Sequence, residues 1–392
     1  MRWRILALLF FARIGLGFQF QTVASVGDEL VLAFGLDYAT IGFLIGLFMA
    51  PGLILALPAG FLGRLVPDRQ LVGFGLAALA IGGLLSSLAS NSWGVGLGRI
   101  IAGAGFLFSN LYCTKMVADW FDGKEIATAM SVLVMSWPLG IAMGQVGHAW
   151  VAEIYGWRLP FQIASLYCFV AAVSILCFYR QPQVAVPVQT AVAPRLNSQE
   201  WQLILCAGGS WALFNAAYVV YLSFGPMVLE GLGQSNLGAA TTISVGSWVM
   251  AASAILCGFI VDRFGHRYLV IIVCLLGGMG GLSMLGVPGA GLAASVLFGF
   301  LGIAPAGVIM ALAGMALRPE VRAFGMGVFF TVYFAIMWAV PPMAGALLDA
   351  TGRSMAPILL AIVLLASVIP LVLAFKGIKS RHTTVSETLQ PQ

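Results

Sequence analysis

The sequence predicts an all-α membrane protein: twelve transmembrane helices in two pseudo-symmetric six-helix bundles. Three observations carry this. Hydrophobic residues fill 61% of the 392 positions and charged residues 8%, whereas soluble domains average about 45–50% and about 25%. Apolar stretches of about 20 residues, each long enough to cross a ~30 Å hydrocarbon core as a helix, recur along the whole chain. The second half also repeats the first at an offset of 198 residues, setting "GFLGRLVPDR" (60–69) against "GFIVDRFGHR" (258–267) and Lys124 against Arg322. The alternating pattern of a transmembrane barrel is missing, so helices satisfy the backbone in lipid.

Gly, Pro and charge clusters punctuate the spans. The first, residues 5–27, follows the basic start "MRWR" and is apolar except for Arg13, Gln19 and Gln21. A secretory leader begins the same way, but Arg13 interrupts its core and no small-x-small cleavage site follows. The second span (39–62) stops at "GRLVPDR", and the third (71–89) at "SNS". The fourth (94–118) holds Arg99 and Lys115, and the fifth (126–149) opens after "DGKE" and contains Pro138. The sixth (159–179) closes the first bundle, residues 1–180. A linker rich in Pro, Gln and Val (181–200) leads into the second bundle, 201–376. Its spans are 202–228, 237–260, 269–286, 290–316, 324–347 and 356–375, with Pro305, Pro341 and Pro342 marking expected bends. The polar tail, 377–392, is expected to be disordered.

Lys and Arg choose the orientation. Fourteen of the nineteen basic residues fall in the termini and in loops on their side; only Arg158 and Arg353 fall in the opposite loops. The bias puts both termini in the cytoplasm of a bacterial inner membrane, crossed many times. The net charge of +5 thus reports topology, not nucleic-acid binding. The six cysteines all sit in apolar runs without a CxxC pair, as packing residues do.

The repeat and the loop "GFIVDRFGHR" resemble the major facilitator superfamily, over essentially the full length. Its loop signature G-x-x-x-D-R-x-G-x-R is carried by Gly258, Asp262, Arg263, Gly265 and Arg267. The resemblance implies a major facilitator fold in which this loop latches the cytoplasmic side. The first-half copy, with Gly60 and Arg69, departs from the signature by placing Arg64 at the acid and Pro67 at the second Gly. "GRIIAGAG" is similar to the family's fourth-helix motif through Arg99, Gly103 and Gly105, and "SWPLGIAMGQ" to its fifth. Residues 115–142 look most like permeases of the cyanate-permease type. These glycines equally suit close helix packing.

The resemblance implies that the first, fourth, seventh and tenth helices line a midplane cavity. Arg13 lies about 12 Å into the first predicted span, too deep to snorkel easily, so a wet cavity or a partner should receive it. A structural arginine bonded to backbone carbonyls is the alternative. The offset sets Trp211 level with Arg13, and Trp211, Asn215 and Tyr218 share one helical face. Gln21, Asn110, Trp137 and Tyr333 complete the substrate-binding candidates, each also explicable as interhelical glue. Arg99 is assigned to structure or coupling, and Lys115 to snorkelling. No carboxylate falls near midplane, which favours an anionic or neutral solute over a cation.

The expected activity is secondary transport of a small solute by alternating access. The preferred solute is a small anion, cyanate- or nitrate-like or a monocarboxylate, with protons as candidate co-substrates through Asp28, Glu29 and His148. An efflux carrier for neutral or amphipathic compounds is the alternative. HExxH, Walker and GxSxG motifs are missing, which argues against an enzyme. No cofactor, metal or nucleic acid is expected, and the chain is expected to work as a monomer. A receptor or scaffold on the same fold fits the sequence as well.

Overall fold

The computed structural model describes residues 1–62, 65–121, 125–181, 196–318 and 321–388, with backbone alone at 57, 60, 61, 126–128, 131, 251, 322, 323 and 381–388. Arg64, Lys124 and the centre of the predicted linker lie outside the described residues. The described chain is helical throughout, without a strand. Eleven segments in it are long and apolar enough to cross a membrane. Ile126–Tyr155, a helix of 30 residues, supplies the remaining crossing.

The first six crossings are Arg2–Ser25, Tyr38–Ala56, Asp68–Leu88, Ser92–Trp120, Ile126–Tyr155 and Arg158–Phe178. The last six are Ser198–Gly231, Asn236–Phe264, Arg267–Met284, Gly291–Ala316, Phe324–Thr351 and Met355–Ser380. Helices outrun the hydropathy boundaries. The seventh reaches 34 residues, about 51 Å at 1.5 Å per residue, because its N-terminus is stabilised by a capping box. There Asn197 accepts from the Glu200 N–H at 2.8 Å and Glu200 accepts from the Asn197 N–H at 2.9 Å. The last helix continues through Thr388. Residues 377–388 are thus helical where their polarity predicts disorder, a short extension propagating from an already nucleated helix.

The packing repeats as the sequence does. The first crossing packs on the fifth and sixth as the seventh does on the eleventh and twelfth, and the third packs on the sixth as the ninth does on the twelfth. The halves meet along two symmetric seams, second against eleventh and fifth against eighth.

Two crossings are broken. The second divides into Tyr38–Leu47 and Ala50–Leu62. The tenth passes from Gly291–Leu297 through a π turn, Phe298–Gly302, and resumes at Ala306–Ala316 after Pro305. The expected bend at Pro305 is thus a true interruption. Pro341 and Pro342 instead lie inside the continuous helix Arg322–Thr351. Pro342 supplies no N–H to the Trp338 carbonyl four residues back, and that carbonyl turns onto Gly46 of the second crossing. The helix survives because a neighbouring helix covers the freed group.

Arg99 pins three crossings together. It is 1% exposed, donates to the Leu44, Gln19 and Phe20 carbonyls at 3.2, 3.1 and 3.1 Å, and lies 4.4 Å from the Phe48 ring centroid. With three backbone carbonyls and the Thr22 hydroxyl as its acceptors, Arg99 joins the first, second and fourth crossings as a structural clamp. Lys115 does not simply snorkel. Its ammonium pairs with Asp68 at 2.5 Å and Asp119 at 3.1 Å, and Asp68, 2% exposed, is the buried partner.

Candidate functional site

The first helix begins at Arg2, so Arg13 lies about 16 Å along it, near the middle of a ~30 Å core and deeper than the hydropathy boundary implied. Arg13 is 9% exposed. Its Nε and Nη2 both donate to Asn110 Oδ1 on the fourth crossing, at 3.1 and 2.8 Å. Nη1 donates to the Leu133 carbonyl at 2.7 Å and to Ser136 Oγ at 3.4 Å, both on the fifth. Every one of these acceptors is neutral. Of the five guanidinium N–H groups, one on Nη2 has no acceptor among the described residues.

The second half completes the site. Tyr333, on the eleventh crossing, lies within electrostatic reach of Arg13, and its hydroxyl has no hydrogen-bond partner among the described residues. Its ring centroid is 6.4 Å from that of Trp211, which stacks at 6.2 Å on Phe214. On the facing side Trp137 meets Phe20 at 5.4 Å and Phe106 at 5.0 Å. Trp137, Asn110, Trp211 and Asn215 are all half-buried at the centre of the bundle. Trp137 follows Ser136, which Arg13 bonds, and Trp211 adjoins Tyr333, so each half carries an aromatic cluster next to a residue that Arg13 meets.

The structure brings Arg13, Asn110, Trp137, Trp211 and Tyr333 to this centre. Asn215 keeps its amide on its own helix, donating to the Trp211 carbonyl at 2.8 Å. Tyr218 is elsewhere: it is 4% exposed and bonds Ser247 Oγ at 2.6 Å inside the second half. Gln21 is also withdrawn. Fully buried between the first and fifth crossings, it donates to Gln145 Oε1 and to Ser25 Oγ. Missed by sequence reasoning were Ser136 and Gln145, single polar residues in the fifth helix whose value depends on which first-helix side chain faces them.

The face opposite the termini, the distal face, is closed. Asp349 of the eleventh crossing accepts from the Tyr38 N–H at 3.0 Å and the Ala39 N–H at 2.7 Å, capping the second crossing from the other half. Among the described residues these are the hydrogen bonds that join the halves. Gly345 lies on the Tyr38 carbonyl, Gly42 on the Pro341 carbonyl and Gly46 on the Trp338 carbonyl, approaches that leave no room for a Cβ. Just inside this closure, Asp28, Glu29 and Tyr38 of one half and Glu230 of the other line a small cleft. Tyr38 Oη donates to Asp28 Oδ1 at 2.9 Å. Burial, with Asp28 and Glu153 nearby, raises the Glu29 carboxyl above its usual range. His148 is fully enclosed, its Nε2 2.9 Å from the Phe18 carbonyl, away from this cleft.

At the terminal face the signature loop forms a turn. Gly258 closes onto no neighbour, and Gly265 takes φ +77°, which suits its residue type. Asp262 and Arg263 are exposed, and Asp262 forms no ion pair among the described residues. Arg267 donates to Met315 Sδ within its own half. Arg69 is exposed, and Gly60 lies in the helix Ala50–Leu62.

Residues 9–342 match the model of the Major Facilitator Superfamily. The chain belongs to this superfamily. As a member it is a multi-pass membrane transporter of small solutes. It is 23% identical to a gallate transporter of Pseudomonas putida over 372 residues, covering 85% of this chain and 80% of the relative. It is 24% identical to a cis,cis-muconate transport protein of Acinetobacter baylyi, over 52% of this chain and 59% of the relative. These relatives are named for organic acids, and they give the subgroup likeness to cyanate permeases no support. Among solved structures, the nucleoside transporter NupG superposes with a TM-score of 0.74 at 13% identity, covering 96% of this chain and all of that one. An inward-facing, occupied bacterial homologue of Spinster gives 0.69 at 16% identity, covering 99% and 97%. Both show the fold of this superfamily member.

Proposed function

We propose that this transporter carries a small organic carboxylate, and that Arg13 is the cation that receives it. The observation that carries the reading is a guanidinium at mid-membrane whose every hydrogen-bond partner among the described residues is neutral, with aromatic clusters of both halves beside residues it meets. A charge there costs about 2.5 kcal/mol on insertion scales and more by other measures, and an anionic solute offsets that cost on arrival. Flat walls of Trp, Phe and Tyr suit a planar or conjugated carbon skeleton better than linear cyanate or nitrate. The relatives named for gallate and muconate agree in charge and in flatness. The neutral-solute efflux reading has no comparable use for the unpaired cation.

Orientation and coupling belong to the same reading. The basic side is cytoplasmic, so both termini face the cytoplasm of the inner membrane and the closed distal face is periplasmic. The state described is then inward-facing. Proteoliposome uptake of gallate, cis,cis-muconate, nitrate and cyanate is the test. Saturable uptake of the carboxylates, with the inorganic ions poorly carried, is expected; equal transport of all four, or of none, refutes the reading.

Protons enter through the distal acids. Closure brings Asp28, Glu29 and Glu153 of one half toward Glu230 and Asp349 of the other, while Arg158, a basic residue of that face, donates to the Ser87 and Ala89 carbonyls. Glu29 holds its proton more tightly here than in water. Its contribution to this closed state is therefore present below the ordinary carboxylate range and is lost as pH rises through its raised value. Glu29→Gln is expected to flatten the pH dependence of uptake just above the ordinary carboxylate range. An unchanged profile would remove Glu29 from coupling.

A further inference from the structure

We propose that Asn110 sets the charge selectivity of the central site, as the neutral positioning residue that orients Arg13 without cancelling its charge. The inference rests on the reading of Arg13 as the carboxylate's cation and adds the reason that cation stays available.

Asn110 Oδ1 receives two donors from one edge of the guanidinium, Nε at 3.1 Å and Nη2 at 2.8 Å. That is the edge a carboxylate grips in a side-on pair. An aspartate in this position would fit the same space and make the stronger bond, and it would leave the site with no net charge. The amide gives the same orientation and keeps the positive charge whole. The other contacts repeat the choice, since Leu133 offers a carbonyl and Ser136 a hydroxyl. No aspartate or glutamate bonds Arg13 among the described residues. In a medium of low dielectric, one formal charge dominates the preference between an acid and its neutral analogue.

The contacts also leave one donor of the guanidinium for a solute. Asn110, Leu133 and Ser136 engage Nε, Nη1 and one side of Nη2, and the remaining Nη2 N–H is the donor left for solute. The Tyr333 hydroxyl, from the other half, lies within electrostatic reach of Arg13 and is likewise unengaged among the described residues.

The test separates charge from architecture by measuring a ratio. Binding of benzoate and benzamide, and of gallate and its primary amide, is measured by ligand-induced thermal shift and by competition in proteoliposomes. These probes share a ring and differ in charge. The wild type is expected to prefer each acid over its amide. Asn110→Asp should lower affinity for the acids roughly 100-fold, the scale of one buried charge at an effective dielectric near 20, while affinity for the amides holds or rises. The preference ratio then collapses, which general damage to the fold does not do, because damage weakens both members of a pair. Ser136→Asp, which offers a carboxylate to the same guanidinium from the fifth crossing, should collapse the ratio independently if the first variant folds poorly. An undiminished acid preference in both variants overturns the proposal. Arg13→Gln distinguishes this from failure of the underlying reading. If Arg13→Gln abolishes acid preference while Asn110→Asp and Ser136→Asp keep it, only the role of Asn110 falls. If Arg13→Gln also keeps it, or if the wild type responds to no carboxylate, both readings fall.

Discussion

Arg13→Gln is expected to abolish uptake of organic acids, at least about 100-fold, while leaving the folded protein as stable as before or more so. Two effects oppose one another. The positive charge attracts a carboxylate with about 4 kcal/mol at 4 Å and an effective dielectric of 20, part of which desolvation of the anion offsets. The same charge destabilises the empty transporter, because neutral acceptors replace water imperfectly at mid-membrane. Glutamine removes both effects together and keeps an amide that can bond Asn110. Transport and stability should therefore separate: a flat or raised melting temperature, with acid uptake gone. A purely structural arginine predicts the reverse pattern, as for Arg99, whose carbonyl clamp joins three crossings. Uptake in proteoliposomes together with thermal unfolding in detergent reads both. Retained uptake with a lowered melting temperature would reassign Arg13 to architecture.

The contrast between the two arginines shows what a sequence can yield. Each is conspicuous because an apolar run contains it, and for each a place in the bundle follows from helix number and depth. Their different employments are set by atoms that no local pattern records. Arg99 meets backbone carbonyls of two other crossings, while Arg13 meets one amide, one hydroxyl and one carbonyl. Helical spacing did place Trp211 and Asn215 at the centre. It carried Tyr218 with them, on nearly the same face but about 10 Å further along the helix axis, where the phenol bonds Ser247 within its own half. Lys115 illustrates the same limit. Its snorkelling was a sound inference from one helix, but Asp68, 47 positions away, becomes its neighbour only once the third and fourth crossings pack. The twelve spans were legible because hydrocarbon thickness imposes a length. Pairing, breaks and partners were not, because they depend on which helices touch.

The distal closure supplies the second large effect. Gly46→Leu is expected to hold that face open and to stop turnover, while binding at the central site persists. At Gly46 the second crossing lies on the Trp338 carbonyl, and even a Cβ would overlap it. The obstacle is backbone, so no rotamer change relieves it. The carbonyl is fixed there because Pro342 provides no helical donor to draw it back. Overpacking of this kind costs about 1–3 kcal/mol, and it acts in the closed state alone, since the seam parts when the face opens. An equilibrium so biased shifts roughly 5- to 150-fold toward the open form, and the two N–H bonds of Asp349 are lost with the contact. The measurement is labelling of Ser223→Cys, which lines the distal cleft, by a membrane-impermeant maleimide in a background without the six native cysteines. Labelling should rise sharply in Gly46→Leu and uptake should fall at least about 10-fold. Gly280→Leu, whose added side chain meets open space, should leave both unchanged. Unaltered labelling in Gly46→Leu would mean that the second–eleventh seam does not control access, and the closure would have to be assigned to the fifth–eighth seam instead.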